Sequence, residues 1–265
     1  MTIIRSPVRS IVSSSARSAV GSDAAVIARM TVDPDATRRA LINTLVASLK
    51  TAGVWDKLDV LYVVAAHDAQ AGRLNWKNDT RYDLTLNGAP TFTADRGYAG
   101  NGSNASLSTG FTPSTAGAQF AVNSASIGAW ARSDITGATE YTIGQISGST
   151  PTAFIRPRST ATALVGAINN AGTTTIAGVT TAIGLTSVNR SAADAQQFYK
   201  NGVSLGTGTV ASTARPTSAV HLLRAFSTYS SNEVAAAFMG ASLTAGEHLA
   251  LYNALNVYLT AVGAA

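Results

Sequence analysis

QQFYKNGVSLGT, residues 196–207, decides how the chain is read. Two short runs rich in β-forming residues meet at Asn201-Gly202, and both residues accept the positive φ angles of a type I′ turn. That turn twists in the same sense as paired strands, so the stretch predicts an antiparallel hairpin. Just downstream, 219–226 and 233–242 read as further strands. Val220, Leu222 and Phe226 fall on one face of the first, interrupted by Arg224, and Val234, Ala236 and Phe238 fall on one face of the second.

Upstream the texture is the same. Candidate strands cover 59–65, 82–86, 90–93, 105–111, 118–132, 140–146, 153–158, 162–169, 173–177, 183–190 and 195–200, divided by Gly, Asn, Ser and Pro. No segment offers the long crossover that parallel strands need. The spacing predicts an all-β, antiparallel β-sandwich or barrel over residues 59–265.

Helices flank it. Thr244 and Glu247 form a T-x-x-E capping box, and His248, Leu251, Tyr252, Leu255, Tyr258, Leu259 and Val262 follow as an apolar stripe, so a closing helix is expected over 244–262. In the 35–58 region a helix is expected with Asp33 as cap, Pro34 in the first turn and Asp35 on the dipole. Leu41, Leu45 and Leu49 give its stripe, and Gly53 ends it.

Residues 1–34 read as a basic extended arm. Arg5-Ser-Pro-Val8, Arg9-Ser-Ile-Val12 and Arg17-Ser-Ala-Val20 repeat R-S-x-V, so Arg5, Val8, Arg9, Val12, Arg17 and Val20 are the candidate assembly contacts. Of the formal net charge of +5, residues 1–22 hold +3 and no acid, leaving +2 for the rest. A basic tail on a near-neutral body, without a helix-turn-helix or RNA-recognition pattern, argues against nucleic-acid binding. Charged residues make up 12% of the chain, against roughly 25% ordinarily. Such a poorly charged surface favours self-association. The chain has no cysteine, no apolar stretch of signal-peptide length near its start, and no apolar run near the roughly 20 residues of a membrane span.

Several pieces carry a resemblance. SVNRSAADAQQFYKNGVSLGT, AVHLLRAF, VAAAFMGASLT and AGEHLALYNALNVYLTAVG, with RGYAGNGSNASLSTGF earlier, resemble the laminin-G-like, concanavalin-like jelly rolls. Arg5–Val8, Ala52–Trp55 and Leu61–Lys77 also look like segments of bacteriophage structural proteins with this architecture. The second resemblance implies a virion protein of the tail-fibre, tail-tip or head-surface kind, made in the bacterial cytoplasm, with other virion proteins as partners and, together with the low charge, a symmetric homo-oligomer, a trimer first.

Catalysis is not expected. Glycoside hydrolysis needs two carboxylates flanking the bond, and the E-x-D-x-E strand motif of laminarinase-like enzymes is absent. Asp56/Asp59, Asp79/Asp83 and Asp134/Glu140 read as turn or cap chemistry, and His67-Asp68 as a capped turn. No cofactor is expected. Ca²⁺ is the one metal weighed, through loop oxygens of Asp79, Asp83, Asp95, Asn101 and Asn104, although no EF-hand-like loop exists. Glycan binding needs an exposed aromatic beside polar groups. Trp76, Trp130, Tyr98, Tyr141, Phe154, Tyr199 and Tyr229 are the stock. Trp130 lies opposite Ile127 and Ala129, and Arg156 and Arg158 flank Pro157, so Trp130, Tyr141, Arg156 and Arg158 are the candidate glycan contacts. The leading expectation is a virion surface protein that displays a sandwich. The alternatives are a lectin-like host-attachment module and a polysaccharide-degrading enzyme.

Overall fold

The computed structural model describes residues 23–77, 80–145 and 152–265. The arm contacts Arg5 to Val20 and the Ca²⁺ candidate Asp79 lie outside those residues. The described chain is an antiparallel β-sandwich with helices against one side, as the strand spacing predicts.

Strands are numbered in chain order. Sheet A contains β1 (Leu58–Val63), β3 (Thr91–Thr93), β4 (Gly97–Ala99), β6 (Ala125–Ala131), β11 (Gly184–Ala192), β12 (Ala195–Lys200), β13 (Val203–Gly208) and β17 (Glu233–Gly240). They run β13-β12-β11-β6-β17-β4-β3, with β1 also paired to β17. Sheet B contains β2 (Thr85–Asn87), β5 (Ser106–Ser108), β7 (Ile143–Gln145), β8 (Thr152–Thr160), β9 (Ala163–Asn170), β10 (Thr174–Ala177) and β14 (Val220–Leu222). Its order is β10-β9-β8-β7-β14-β5-β2. A small separate hairpin joins β15 (Arg224–Ala225) to β16 (Thr228–Tyr229).

The hairpin at 196–207 forms as read. Asn201 and Gly202 take φ of 51° and 77°, both positive as a type I′ turn requires. Gly202 has a second constraint: a Cβ there would stand 2.8 Å from the Leu249 Cα, so the turn packs against the closing helix.

Between the sheets Ile127, Val188, Phe198, Leu164, Ile168 and Leu222 pack in one buried core. The outer face of sheet A is closed by α1 (Asp23–Ile27), α2 (Ala36–Thr51) and α4 (Ala245–Ala261). Leu45, Leu49, Leu251 and Leu255 from the helices bury Trp130, Leu185 and Phe238. α4 carries the full capping box, Thr244 Oγ1 accepting from the Glu247 amide and Glu247 from the Thr244 amide. One turn of helix, α3 (Pro113–Ala116), lies in a connection.

Five expectations need correction. The cap of α2 is Asp35, whose carboxylate accepts from the Arg38 amide at 2.7 Å; Asp33 instead pairs with Arg39. Residues 23–34 are not all arm, because Val26 and Ile27 are buried in the helical layer. Only 125–131 of the expected strand 118–132 is extended, since Asp59 holds the amides of Ala118, Gln119 and Phe120 in a loop. A register shift between Val234 and Ala236 turns Val234 to the inter-sheet core, while Ala236 and Phe238 face the helices. The strand at 219–226 stops at Leu222, because Leu223 takes φ of +64° and swings Phe226 to the outside. His67-Asp68 is a capped turn: Asp68 accepts from the amides of Gln70 and Ala71.

Candidate functional site

Among the described residues no helix covers the outer face of sheet B over β7, β8 and β9. Alternation along β8 points Ala153 and Ile155 into the core and Phe154 and Arg156 outward, and β9 adds Val165 and Ala167. A short hairpin lies on this surface. It fits because β7 offers Gly144 there: a Cβ would come within 2.5 Å of the Ala225 Cβ. The amides of Leu223 and Phe226 donate to the carbonyls of Thr142 and Gln145, at 3.0 and 2.7 Å.

Two residues at the hairpin hold costly backbone. Leu223 and Phe226 have φ of 64° and 55°, a region that costs a side-chain-bearing residue about 1–2 kcal/mol. Phe226 thereby meets Tyr141 and Phe154. The three rings pack edge to face with centroids 5.4–5.9 Å apart. The Arg156 guanidinium stands 5.4 Å from the Tyr141 centroid and 5.6 Å from that of Phe154, while its Nη1 donates to the Ala138 carbonyl. Arg224 sits over Tyr229 at 4.6 Å. Arg156, Arg224, Phe226 and Tyr229 are all half-buried, so each keeps part of its side chain at the surface.

Its supports are polar and engaged. Glu140 is buried and accepts from the Ser230 and Ser231 hydroxyls, the Ser231 amide and the Asn232 side chain, which fixes the chain after β16. Asp134 pairs with Arg158 at 3.0 Å. The Ala182 amide, with Arg158 adding to it, holds the Asp134 carboxyl below the usual range. Farther along the face His221 is buried, its Nδ1 3.5 Å from Asn87 Nδ2 and Ser106 Oγ. Burial first, and the nearby Arg224 charge second, lower its pKa to about 4, so the ring is neutral at neutral pH.

The fold matches β-sandwich domains of sugar-handling proteins. Domain 4 of an extracellular GH43 arabinanase from Geobacillus stearothermophilus, solved with arabinotriose, aligns at TM-score 0.53 and 12% identity over 74% of this chain and 98% of that one. A Trypanosoma rangeli sialidase mutant with trans-sialidase activity aligns at 0.56 and 13%, over 83% of this chain and 39% of that one. A structure of botulinum neurotoxin type C, whose cell entry depends on two ganglioside molecules, aligns at 0.55 and 12%, covering 77% and 53%. The chain thus spans nearly the whole arabinanase domain but well under two thirds of the sialidase and toxin chains. At such identities the likeness establishes the fold. No protein-family model matches the chain, and no curated protein matches it.

Of the four glycan contacts read from the sequence, the structure brings Tyr141 and Arg156 together and places Arg158 two residues along the same strand. Tyr141 is only 7% exposed, so it backs Phe226 and Arg156 rather than offering a ring of its own. Burial pushes its phenol pKa up, against the pull of Arg156. Trp130 is elsewhere. It faces away from Ile127 and Ala129 as expected, but α4 covers that face, and the indole stacks on Tyr252 with centroids 5.6 Å apart. Trp76, Tyr98, Phe154 and Tyr199 are likewise buried, which leaves Tyr229 from the stock. The sequence pattern does not point to Phe226 and Arg224 as contacts, because their placement depends on the break at Leu223, which no local residue preference announces. The described Ca²⁺ candidates have protein partners: Asp83 is held by Arg29, Asp95 by Arg38, and the Asn101 side chain binds the loop amides of Ser103, Asn104 and Ala105. Among the described residues no helix is long and apolar enough to cross a membrane.

Proposed function

We propose that this chain is a carbohydrate-binding β-sandwich module that grips a surface glycan with the outer face of sheet B, without catalysis. One observation carries the reading: the two outer faces are built alike, yet one is sealed by helices and the other presents Arg156, Arg224, Phe226 and Tyr229. Ring faces and edges take the apolar C–H surface of a sugar, and guanidinium donors take its hydroxyl or acidic oxygens. The sugar-linked proteins that share the fold favour this reading over a purely structural role. Binding without turnover fits the carboxylates at this face, since Glu140 and Asp134 are both consumed by other partners.

The virion setting rests on the leader and on residues 52–77 of the sequence, and within it the module would serve host attachment. In that setting the arm would dock on virion partners and the chain would form a homo-oligomer, a trimer first.

A glycan array probed with the full chain tests the reading, followed by titration of hits against Arg224→Ala and Tyr229→Ala. Discrete hits that weaken at least about tenfold in both variants are expected. A silent array, or hits that ignore both substitutions, would overturn it.

A further inference from the structure

A second candidate site lies beside the start of β1 and shares no residue with the sheet B surface. There a cavity of about 290 Å³ opens among Asp56, Asp59, Lys77, Arg81, Tyr82 and Gln119. That volume is at the small end for ligand pockets, about 300–1,000 Å³, and suits one ring-sized ligand rather than a chain of them.

The charged groups around it differ in how far they are committed, and Arg81, 5.2 Å from the Tyr82 ring centroid, adds a second cation to the lining. Asp59 is spent on architecture: Oδ1 accepts from the amides of Ala118 and Gln119 at 3.0 and 2.8 Å, and Oδ2 from that of Phe120 at 2.8 Å. Lys77 is held in place but not neutralised. Its ammonium donates to the Trp55 carbonyl and sits 4.4 Å from the Trp55 ring centroid, which fixes one of its three donors while the residue lines the cavity. Burial lowers the Lys77 pKa, and the charges of Asp56 and Asp59 oppose that, so both carboxylates are near it. Among the described residues neither closes an ion pair with it. Asp56 is exposed, on the 3-10 turn Trp55–Lys57. A desolvated ammonium and an unspent carboxylate therefore face one small cavity with a gap between them, beside a tyrosine and a primary amide.

A ligand that fills the gap must offer an anion to the ammonium and hydroxyl donors to the carboxylate. We propose that this cavity holds one acidic sugar unit, its carboxylate on Lys77 and its hydroxyls on Asp56 and Gln119, against the Tyr82 wall. Such a unit satisfies both signs at once, whereas a simple anion would leave Asp56 facing like charge and a neutral sugar would bring no anionic acceptor to the Lys77 ammonium.

The test is an amide-shift titration of the full chain with sodium glucuronate and, separately, with glucose. Glucuronate is expected to give saturable shifts at the Trp55 indole and the Ala118 and Gln119 amides, with glucose about tenfold weaker or worse. Lys77→Met should weaken glucuronate at least about tenfold. Should that variant melt early, Asp56→Asn, on an exposed side chain, carries the test and should weaken both sugars. Absence of saturable shifts at these amides, equal affinity for both sugars, or an Asp56→Asn variant that binds like the parent overturns the proposal. Arg224→Ala with Tyr229→Ala should leave these shifts intact. A silent glycan array with an intact glucuronate titration would sink the sheet B reading alone, and the converse would sink this one alone.

Discussion

The two outer faces of the sandwich are made by the same rule and finished differently. On sheet A the outward residues Trp130, Leu185, Ala236 and Phe238 are met by apolar stripes of helices from both flanks of the β region, and all four are buried. On sheet B the outward residues Phe154, Val165 and Ala167 are met by a six-residue hairpin, Arg224–Tyr229, whose own Phe226 remains half-exposed. A helix brings a wide stripe and its own backbone hydrogen bonds, so it can seal a face. A two-stranded hairpin covers a few rings and leaves side chains at its rim. The difference separates a face closed by apolar helix stripes from one whose cover leaves cations and ring edges half-buried at its rim.

The largest effect should fall on the sealed face. Trp130→Ala removes an indole that is 3% exposed and stacked on Tyr252, and should cost about 3–5 kcal/mol in urea unfolding. A loss under about 1 kcal/mol would mean that α4 is not a tight cover, and the contrast between the faces would fail.

Each face also buries a neutral histidine, which gives a pH test of both. Burial lowers the pKa of His248 to about 3, against the pull of Glu247, and that of His221 to about 4. Between the ordinary value of 6.5 and these values the unfolded chain binds a proton that the folded chain does not. Stability therefore falls as pH falls through that window, levelling off below about 4 for His221 and below about 3 for His248. The cost between pH 7 and 4 is on the order of 3 kcal/mol for each ring. His221→Gln and His248→Gln should each flatten the acid slope of the urea midpoint. If only His248→Gln does so, the sheet B face is wetter than its geometry implies.

How much could be read beforehand follows the same division. Where local chemistry decides, the reading held: Asn201-Gly202 needs only its own φ angles, and Thr244 with Glu247 needs only spacing. Where one residue flips the alternation, it failed. The register shift at Val234–Ala236 and the positive φ at Leu223 each move later side chains to the opposite face, and neither residue type favours such a break. Trp130 was assigned to the correct face and the wrong environment, because alternation reports direction and not what lies beyond. Arg156 and Tyr141 were found as neighbours of a strand, while Phe226 and Arg224, which complete the group, depended on the break.

A smaller effect checks the helical cover from its end. Thr244→Ala removes the side-chain acceptor of the Glu247 amide and should cost about 1 kcal/mol, without changing glycan binding. Glu247 keeps a second partner in Lys57 at 2.7 Å, so the helix start should fray rather than detach.

The smallest stability change is expected where binding should change most. Arg224 and Tyr229 are half-buried, contact each other at the rim of the hairpin, and leave the Tyr141–Phe154–Phe226 rings intact when truncated. Each alanine substitution should shift unfolding by no more than about 0.5 kcal/mol. Phe226→Ala should cost more, because it opens the ring cluster and releases the hairpin from Tyr141. A stability loss at Arg224 or Tyr229 as large as that at Phe226 would show the rim to be part of the scaffold. Sheet B would then have a cover of its own, and the case for an open binding face would pass to the cavity beside Lys77.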